Sequence, residues 1–236
     1  MAMKKTYRDK IFERYVESYN EIYDKSDLEK EMSYRHRRYE INYAHLLPMD
    51  KASRILEMGC GPGYFLRFLA DRGYANHVGV DFSRSQVMAT GAAGASNVIL
   101  ADLIEYLKSV EGGFEMIFSF HVLEHMEKDD ILELLELAWS RLAKNGRIVI
   151  EVPNAGSPFI GGQGRYGEFT HEVGFTASSL AEILVVSGFK DVKTYPIRVP
   201  SLLSNAFFWA ANRLYRAAFK QRLFVDGEIM CVGVKG

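Results

Sequence analysis

From residue 52 onward the chain alternates short apolar runs with longer stretches of three-to-four spacing. The runs Arg54–Met58, His77–Asp81, Val98–Ala101, Met116–Phe120 and Arg147–Val152 read as strands, and helices begin near Gly63, Ser83, Leu103 and Asp129. In Asp129–Ala143 the residues Ile131, Leu132, Leu134, Leu135, Leu137, Ala138 and Leu142 fall on helical spacing, with Asn145-Gly146 as the stop signal. After a Gly/Pro-rich loop, Pro153–Gly174, the pattern predicts a helix Ala177–Ser187 ending at Gly188, then strands Phe189–Tyr195 and Gly227–Val234. Strands alternating with helices imply parallel pairing through right-handed crossovers, so the expected class is a doubly wound α/β sheet with helices on both faces.

Residues 1–50 differ from the rest. They hold ten Lys/Arg, ten Asp/Glu and no glycine, and Phe12, Tyr15, Tyr19, Ile22 and Tyr23 repeat at i, i+3, i+4. That spacing puts an aromatic stripe on one helix face, and a second helix is expected from about Leu28 to Leu47, stopped by Pro48. The segment reads as a helical cap or lid (1–50) on a main domain (51–236) that carries a helical insertion at about 199–222.

Composition narrows the class. Apolar residues make up 48% and charged residues 25% of 236 positions, a globular balance, and two cysteines (Cys60, Cys231) rule out a disulfide framework and fit a reducing compartment. A net charge of −1 argues against a globally basic nucleic-acid binder. The start MAMKKTYRDK has no apolar core for a signal peptide, and no apolar run reaches membrane-spanning length, so a cytoplasmic protein is expected.

The stretch Arg54-Ile-Leu-Glu-Met-Gly-Cys-Gly-Pro-Gly-Tyr-Phe-Leu66 is an apolar strand, a turn with glycines at 59, 61 and 63, and a helix start. Such a turn lets a ligand approach the main chain, next to the free N–H groups of the helix. Glu57 precedes the turn, and the next two predicted strands end at Asp81 and Asp102. Carboxylates at the carboxyl ends of parallel strands sit where open α/β sheets bind ligands, and Asp81, 18 residues beyond Gly63, is placed for ribose hydroxyls. Each Asp could instead cap the helix it precedes. A carboxylate at 57 would repel a pyrophosphate but attract an ammonium. Ribose, adenine and a zwitterionic amino acid together describe S-adenosylmethionine.

On these residues the chain resembles the class I S-adenosylmethionine-dependent methyltransferases, over about residues 52–195. Glu57-Met-Gly-Cys-Gly-Pro-Gly63 is similar to the family's first motif, Asp81-Phe82 to its ribose-binding acidic motif, and Ala101-Asp102-Leu103 to its adenine-side motif. Phe118-Ser-Phe-His-Val-Leu-Glu-His125 resembles the motif after strand four that meets the methionine end, and Leu142–Asn154 resembles strand five and its loop. The resemblance implies a Rossmann-like sheet of seven strands, the last antiparallel and inserted before the preceding one. It implies cofactor contacts from Glu57, Gly59, Cys60, Gly61, Gly63, Asp81, Phe82, Asp102, Leu103, Phe120 and His121, with S-adenosylhomocysteine as product.

His121-Val-Leu-Glu-His125 also spells the zinc motif of the inverzincin proteases, which requires one continuous helix; here it follows a strand and precedes helix-start residues. His125 is expected to be a structural hydrogen bonder. The long Val152–Thr176 loop hangs over the acceptor side with Arg165, Tyr166, Glu168, His171 and Glu172. Transfer to a hydroxyl benefits from a base, and His171, oriented by Glu168 or Glu172, is the catalytic candidate; its bland alternative is pinning the helix that follows. No carboxylate cluster suggests a catalytic metal.

Between Asp191 and Asp226 there is no acid but six cations: Lys193, Arg198, Arg213, Arg216, Lys220 and Arg222. The helix predicted over Leu202–Phe219 has the composition of an interfacial helix or of a lid over an anionic acceptor; the alternative is a core helix. The chain therefore reads as a methyltransferase of a small-molecule or glycan-type acceptor, with a hydroxyl as the expected methylated group (O-methylation) and a phosphorylated acceptor such as a nucleotide-sugar among the candidates. A lipid or quinone-ring methyltransferase touching membrane through 199–222 and a non-catalytic cofactor-binding module are the alternatives. No nucleic-acid partner is expected, and the oligomeric state is left open.

Overall fold

The computed structural model describes residues 7–14, 17, 28–219 and 224–236. Seven strands form one sheet: β1 (Ile55–Met58), β2 (His77–Asp81), β3 (Val98–Leu100), β4 (Phe114–Phe120), β5 (Leu142–Pro153), β6 (Lys190–Pro196) and β7 (Glu228–Val234), in the order β3-β2-β1-β4-β5-β7-β6. β3 to β5 pair in parallel, whereas β7 runs antiparallel to both β5 and β6. The doubly wound arrangement and the inverted last strand are as expected.

The helices are α1 (Tyr7–Glu13), α2 (Leu28–Asn42), α3 (Tyr64–Asp71), α4 (Arg84–Ala93), α5 (Leu103–Ser109), α6 (Lys128–Arg141), α7 (Gly161–Tyr166), α8 (Ala177–Val186) and α9 (Leu202–Phe219). Their starts follow local chemistry. Ser83 and Asp102 cap α4 and α5 by accepting main-chain N–H groups, and Thr176 and Ser179 form a reciprocal capping box on α8.

All four residues of β1 are buried, the signature of a central parallel strand covered on both faces. One apolar cluster packs Leu134, Leu135 and Ala138 of α6 against Ile148 and Ile150 of β5 and Leu180 of α8. The other packs Tyr39 of α2 and Tyr43 just after it with Phe65 and Phe68 of α3, Ile55 of β1 and Phe118 of β4. Tyr39 and Tyr43 are thus part of the core, whereas Tyr34 of α2 is exposed. Of the N-terminal stripe, Tyr15, Tyr19, Ile22 and Tyr23 lie outside the described residues, as do Lys220 and Arg222 of the basic tail.

Three expectations are corrected. Asn145-Gly146 does not end α6: the helix stops at Arg141, the backbone is already paired from Leu142, and the two residues form an irregularity inside β5 with Asn145 at φ +62°. The 152–176 loop has structure of its own in α7. The Leu202–Phe219 helix is not a core helix, for none of its residues is buried; Leu202, Leu203, Trp209 and Leu214 are more than 60% exposed. No helix among the described residues is long and apolar enough to cross a membrane.

Candidate active site

The carboxyl ends of β1, β2 and β4 and the 154–176 loop converge on one edge of the sheet. The glycine turn is built first by packing within the chain. Gly59, Gly61 and Gly63 all have positive φ, and a Cβ at 59 or 63 would run into Val122 or Ala95. At Gly61 the surrounding space is open, with Gln86 Oε1 3.8 Å from a Cβ position. Gly63 starts α3 without a side-chain cap and without an acid in the first turn, leaving main-chain N–H groups for a ligand.

Asp81 is buried at the end of β2. Its Oδ2 accepts from Gly61 N at 2.9 Å and its Oδ1 from Ser83 N at 2.8 Å, which fixes the carboxylate while each oxygen keeps a second lone pair. Burial pushes its pKa up, against those two hydrogen bonds. Glu57 lies deeper, and its Oε2 is buried with no hydrogen-bond partner. Burial and then the Asp81 charge raise its pKa well above the ordinary carboxylate range; Arg35 acts in the opposite sense. A buried acid lacking a donor is complementary to an ammonium, and a fixed carboxylate at a strand end is complementary to ribose hydroxyls. The residues therefore fit S-adenosylmethionine.

The other predicted cofactor residues are placed as follows. Cys60 is buried in the turn, where burial pushes its thiol pKa far up. Phe82 is half exposed beside Asp81, and Phe12 of α1 meets it edge-on at 4.8 Å. Ser83 and Ser85 both donate to Phe12 O, so α1 is tied down next to the ribose-side loop. Asp102 caps α5 through Ile104 N and Glu105 N, and the Leu103 side chain belongs to the core, which leaves its main chain to face a ligand. Phe120 packs on Tyr39, Tyr43 and Phe65.

His121 has φ +56°, rare for a residue with a Cβ, and its ring is held from both sides. Nδ1 lies 3.2 Å from Glu124 Oε1, and Nε2 lies 2.8 Å from Glu151 Oε1 and 3.3 Å from Glu228 Oε1. Arg38 of α2 joins the same group, 2.5 Å from Glu151 Oε1 and paired with Glu228. Burial opposes it, but the hydrogen bonds to Glu124 and Glu228 push His121 up to about 9. Burial pushes Glu151 up to about 7, whereas Arg38 and His121, against burial, hold Glu228 far below the usual range. Sequence reasoning missed Arg35, Arg38, Glu151 and Glu228. The available signal was the spacing 35, 38, 39, 42, 43, a core face occupied by Arg, Arg, Tyr, Asn and Tyr.

His125 does not share a helix face with His121: the motif spans the end of β4 and a 3₁₀ turn, Leu123–His125, which excludes the protease geometry. His125 instead meets the loop. Its Nδ1 is 2.9 Å from Thr170 Oγ1, and its ring packs edge-on against His171 at 4.7 Å. His171 does not pin α8, which has its own capping box; its Nδ1 bonds Gly164 O at 2.8 Å and its Nε2 lies 3.8 Å from Glu168 Oε2. Arg165 donates to His171 O and Glu172 O, and Glu124 O accepts from Glu172 N and Val173 N, so the loop is stitched to the turn after β4. Tyr7 bonds Glu172 from α1.

Comparison with known proteins gives the same answer as this geometry. A SAM-dependent methyltransferase from Archaeoglobus fulgidus has a similar structure, with a TM-score of 0.70 and 26% identity, over 94% of this chain and 100% of that one. A SAM-dependent methyltransferase from Thermotoga maritima shares the fold at a TM-score of 0.66 and 19% identity, over 96% and 99%. The human protein EEF1A lysine methyltransferase 2 is 29% identical over 96 residues, 39% of this chain, and the match spans only 40% of that protein. A family model described as a methyltransferase domain matches residues 32–194, which include the glycine turn, the buried acids and the histidine loop. The chain belongs to this methyltransferase-domain family and is a class I S-adenosylmethionine-dependent methyltransferase.

Proposed function

We propose that the chain methylates an oxygen of a small-molecule or glycan-type acceptor held against the 154–176 loop, and that His171 activates that oxygen. The observation that carries the reading is the bond from His171 Nδ1–H to Gly164 O at 2.8 Å, which fixes the tautomer and leaves the lone pair on Nε2. A neutral alcohol is a poor nucleophile and needs such a group, whereas the sulfonium is already a good leaving group. The remainder of the rate comes from holding acceptor and methyl in line. Glu57 and the free N–H groups of α3 take the methionine end of the cofactor, Asp81 the ribose, and the 102–103 main chain the adenine side. α1 caps this cleft, with Phe12 between Phe82 and His125.

The test is a methyl-transfer screen read by mass spectrometry, begun with nucleotide-sugars and run beside titration with S-adenosylmethionine. A methyl ether is expected, with turnover lost in His171→Gln while cofactor binding is kept. An N-methyl product whose rate ignores His171→Gln would overturn the oxygen reading in favour of an amine, the acceptor named for the human relative. Cofactor binding with no product from any acceptor class would favour the non-catalytic module.

One observation favours a second reading, a lipid or quinone acceptor at a membrane surface. α9 exposes Leu202, Leu203, Trp209, Leu214 and Phe219 beside Arg213 and Arg216, and Phe207 packs on Phe159 of the acceptor-side loop.

A further inference from the structure

Two groups of side chains at the carboxyl edge of the sheet bring metal-ligating donors together. In His121, Glu151 and Glu228 the place of a cation is already taken by the Arg38 guanidinium. In the other, one donor atom each of Glu124, His125 and His171 lies within 4.8 Å of the others.

The hydrogen bonds around this second group settle where its lone pairs are. His171 gives its Nδ1 proton to Gly164 O, so its Nε2 is the basic nitrogen. Thr170 spends its single hydroxyl proton on Glu168 Oε1 at 2.8 Å, and so can only accept from His125 Nδ1 at 2.9 Å. His125 is therefore also protonated at Nδ1 and basic at Nε2. Binding one imidazole nitrogen to a main-chain carbonyl or hydroxyl is how proteins orient histidines that ligate through the other. Glu124 supplies the third donor: it is 1% exposed, its Oε1 faces His121, and its Oε2 is buried with no hydrogen-bond partner. Glu168 Oε2, 3.8 Å from His171 Nε2, stands next to the group. The bonds from Glu172 N and Val173 N to Glu124 O and from Arg165 to the 171–172 carbonyls hold the two segments together.

From this arrangement we infer that Glu124, His125 and His171 form a binding site for a divalent transition-metal ion, with Glu168 as a fourth ligand, on the acceptor side of the cleft. Two imidazoles and carboxylate oxygens suit Zn²⁺, Co²⁺ or Mn²⁺ better than Mg²⁺ or Ca²⁺, which take oxygen ligands throughout. Ligand distances of about 2.0–2.2 Å require the donors to close by about an ångström, within reach of side-chain torsions. The ion would act on the acceptor oxygen of the proposed reaction, and only this second part rests on that reading. The hydroxyl binds the cation and releases its proton to water. The resulting alkoxide lone pair forms the O–C bond as the C–S bond breaks, and that bonding pair returns to sulfur to give S-adenosylhomocysteine. His171 then activates the oxygen by holding the ion.

The experiment is titration of the chelator-stripped full chain with ZnCl₂ and CoCl₂, read by calorimetry and by the visible bands of bound cobalt, with S-adenosylmethionine binding measured on the same samples. One equivalent of metal is expected, weakened at least about tenfold in His125→Ala and in His171→Gln and unchanged in Glu228→Gln, since loss of a direct ligand should exceed the 10–100-fold effect of outer-shell partners. Should a variant fail to fold, histidine nitrogen spectra of the wild type serve in its place, with Zn²⁺ expected to move two Nε2 resonances of the six histidines. Absence of stoichiometric binding, or binding indifferent to both substitutions, overturns the metal site. If the cofactor still binds in that case, the methyltransferase stands without it; loss of cofactor binding with the metal retained would instead strike at the cofactor reading.

Discussion

Two groups of acids, each with a fully buried member, share the carboxyl edge of this sheet and differ in how they are satisfied. Glu151 and Glu228 have Arg38 and His121 as counter-charges, and every close contact among them is made inside the protein. Glu57 on β1 and Asp81 on β2 lie two and three strands from β5, and the Asp81 charge raises the cost of ionising Glu57. Neither acid has a cation at salt-bridge distance among the described residues, although a buried oxygen lacks a donor in both groups, Glu57 Oε2 here and Glu151 Oε2 there. A charge group that is closed in the sense of carrying its own cations holds elements together, here α2 to β5 and β7. A group of acids with no paired cation of its own is complementary to a cation from outside. The contrast separates scaffold from binding site without reference to any ligand.

The largest effect should come from opening the closed group. Arg38→Met takes the guanidinium from buried Glu151 and partly exposed Glu228 and leaves His121 as their remaining cation, and a loss of about 3 kcal/mol is expected in chemical denaturation. A variant as stable as the parent would show that the network is dispensable. Next comes Asp81→Ala, which removes charged hydrogen-bond acceptors worth about 1.5–3 kcal/mol each. Titration calorimetry should show affinity for S-adenosylmethionine reduced by about ten- to a hundredfold.

Glu57→Gln sharpens the contrast because its two effects have opposite signs. The raised pKa of Glu57 means that the folded protein loses stability as pH rises above the unfolded carboxylate value toward the folded one. The glutamine variant should therefore gain melting temperature over the parent at pH 8 but hardly at pH 4, while binding the cofactor more weakly. Higher stability without weaker binding would remove Glu57 from the cofactor site. The smallest effect is expected at His121, whose side chain is about a third exposed and so partly screened. A histidine raised from 6.5 to about 9 contributes stability that is complete below 6.5 and lost as pH passes 9. His121→Asn, which tolerates the positive φ, should flatten the stability profile in that window.

Most of the fold was legible because strands and turns carry local signals. His77–Asp81 is bounded as its apolar run predicts, and the other strands differ mainly at their ends. Asn145-Gly146 misled because the dipeptide that stops helices also makes the positive-φ irregularity found within β5. The glycine turn and Asp81 could be read because strand, turn and acid lie within 27 residues of one another, from Ile55 to Asp81. Arg38 could not, since its partners are 113 and 190 residues away and a helix reading Arg-His-Arg-Arg looks solvated. The pairing of His125 with His171 was hidden for the same reason: 45 residues separate Thr170 from His125, and only the folded loop closes them.

The position of β7 has a consequence in time. It is the last of the seven strands to leave the ribosome, yet it lies between β5 and β6 and carries Glu228, a partner of Arg38, which is made 190 residues earlier. Until it emerges, β5 presents an open edge, β6 has no neighbour in the sheet, and α2 lacks one of its anchoring charges. The nascent protein must therefore carry an unsealed sheet edge from the emergence of β5 until that of β7, the interval in which capture of that edge by another chain competes with folding.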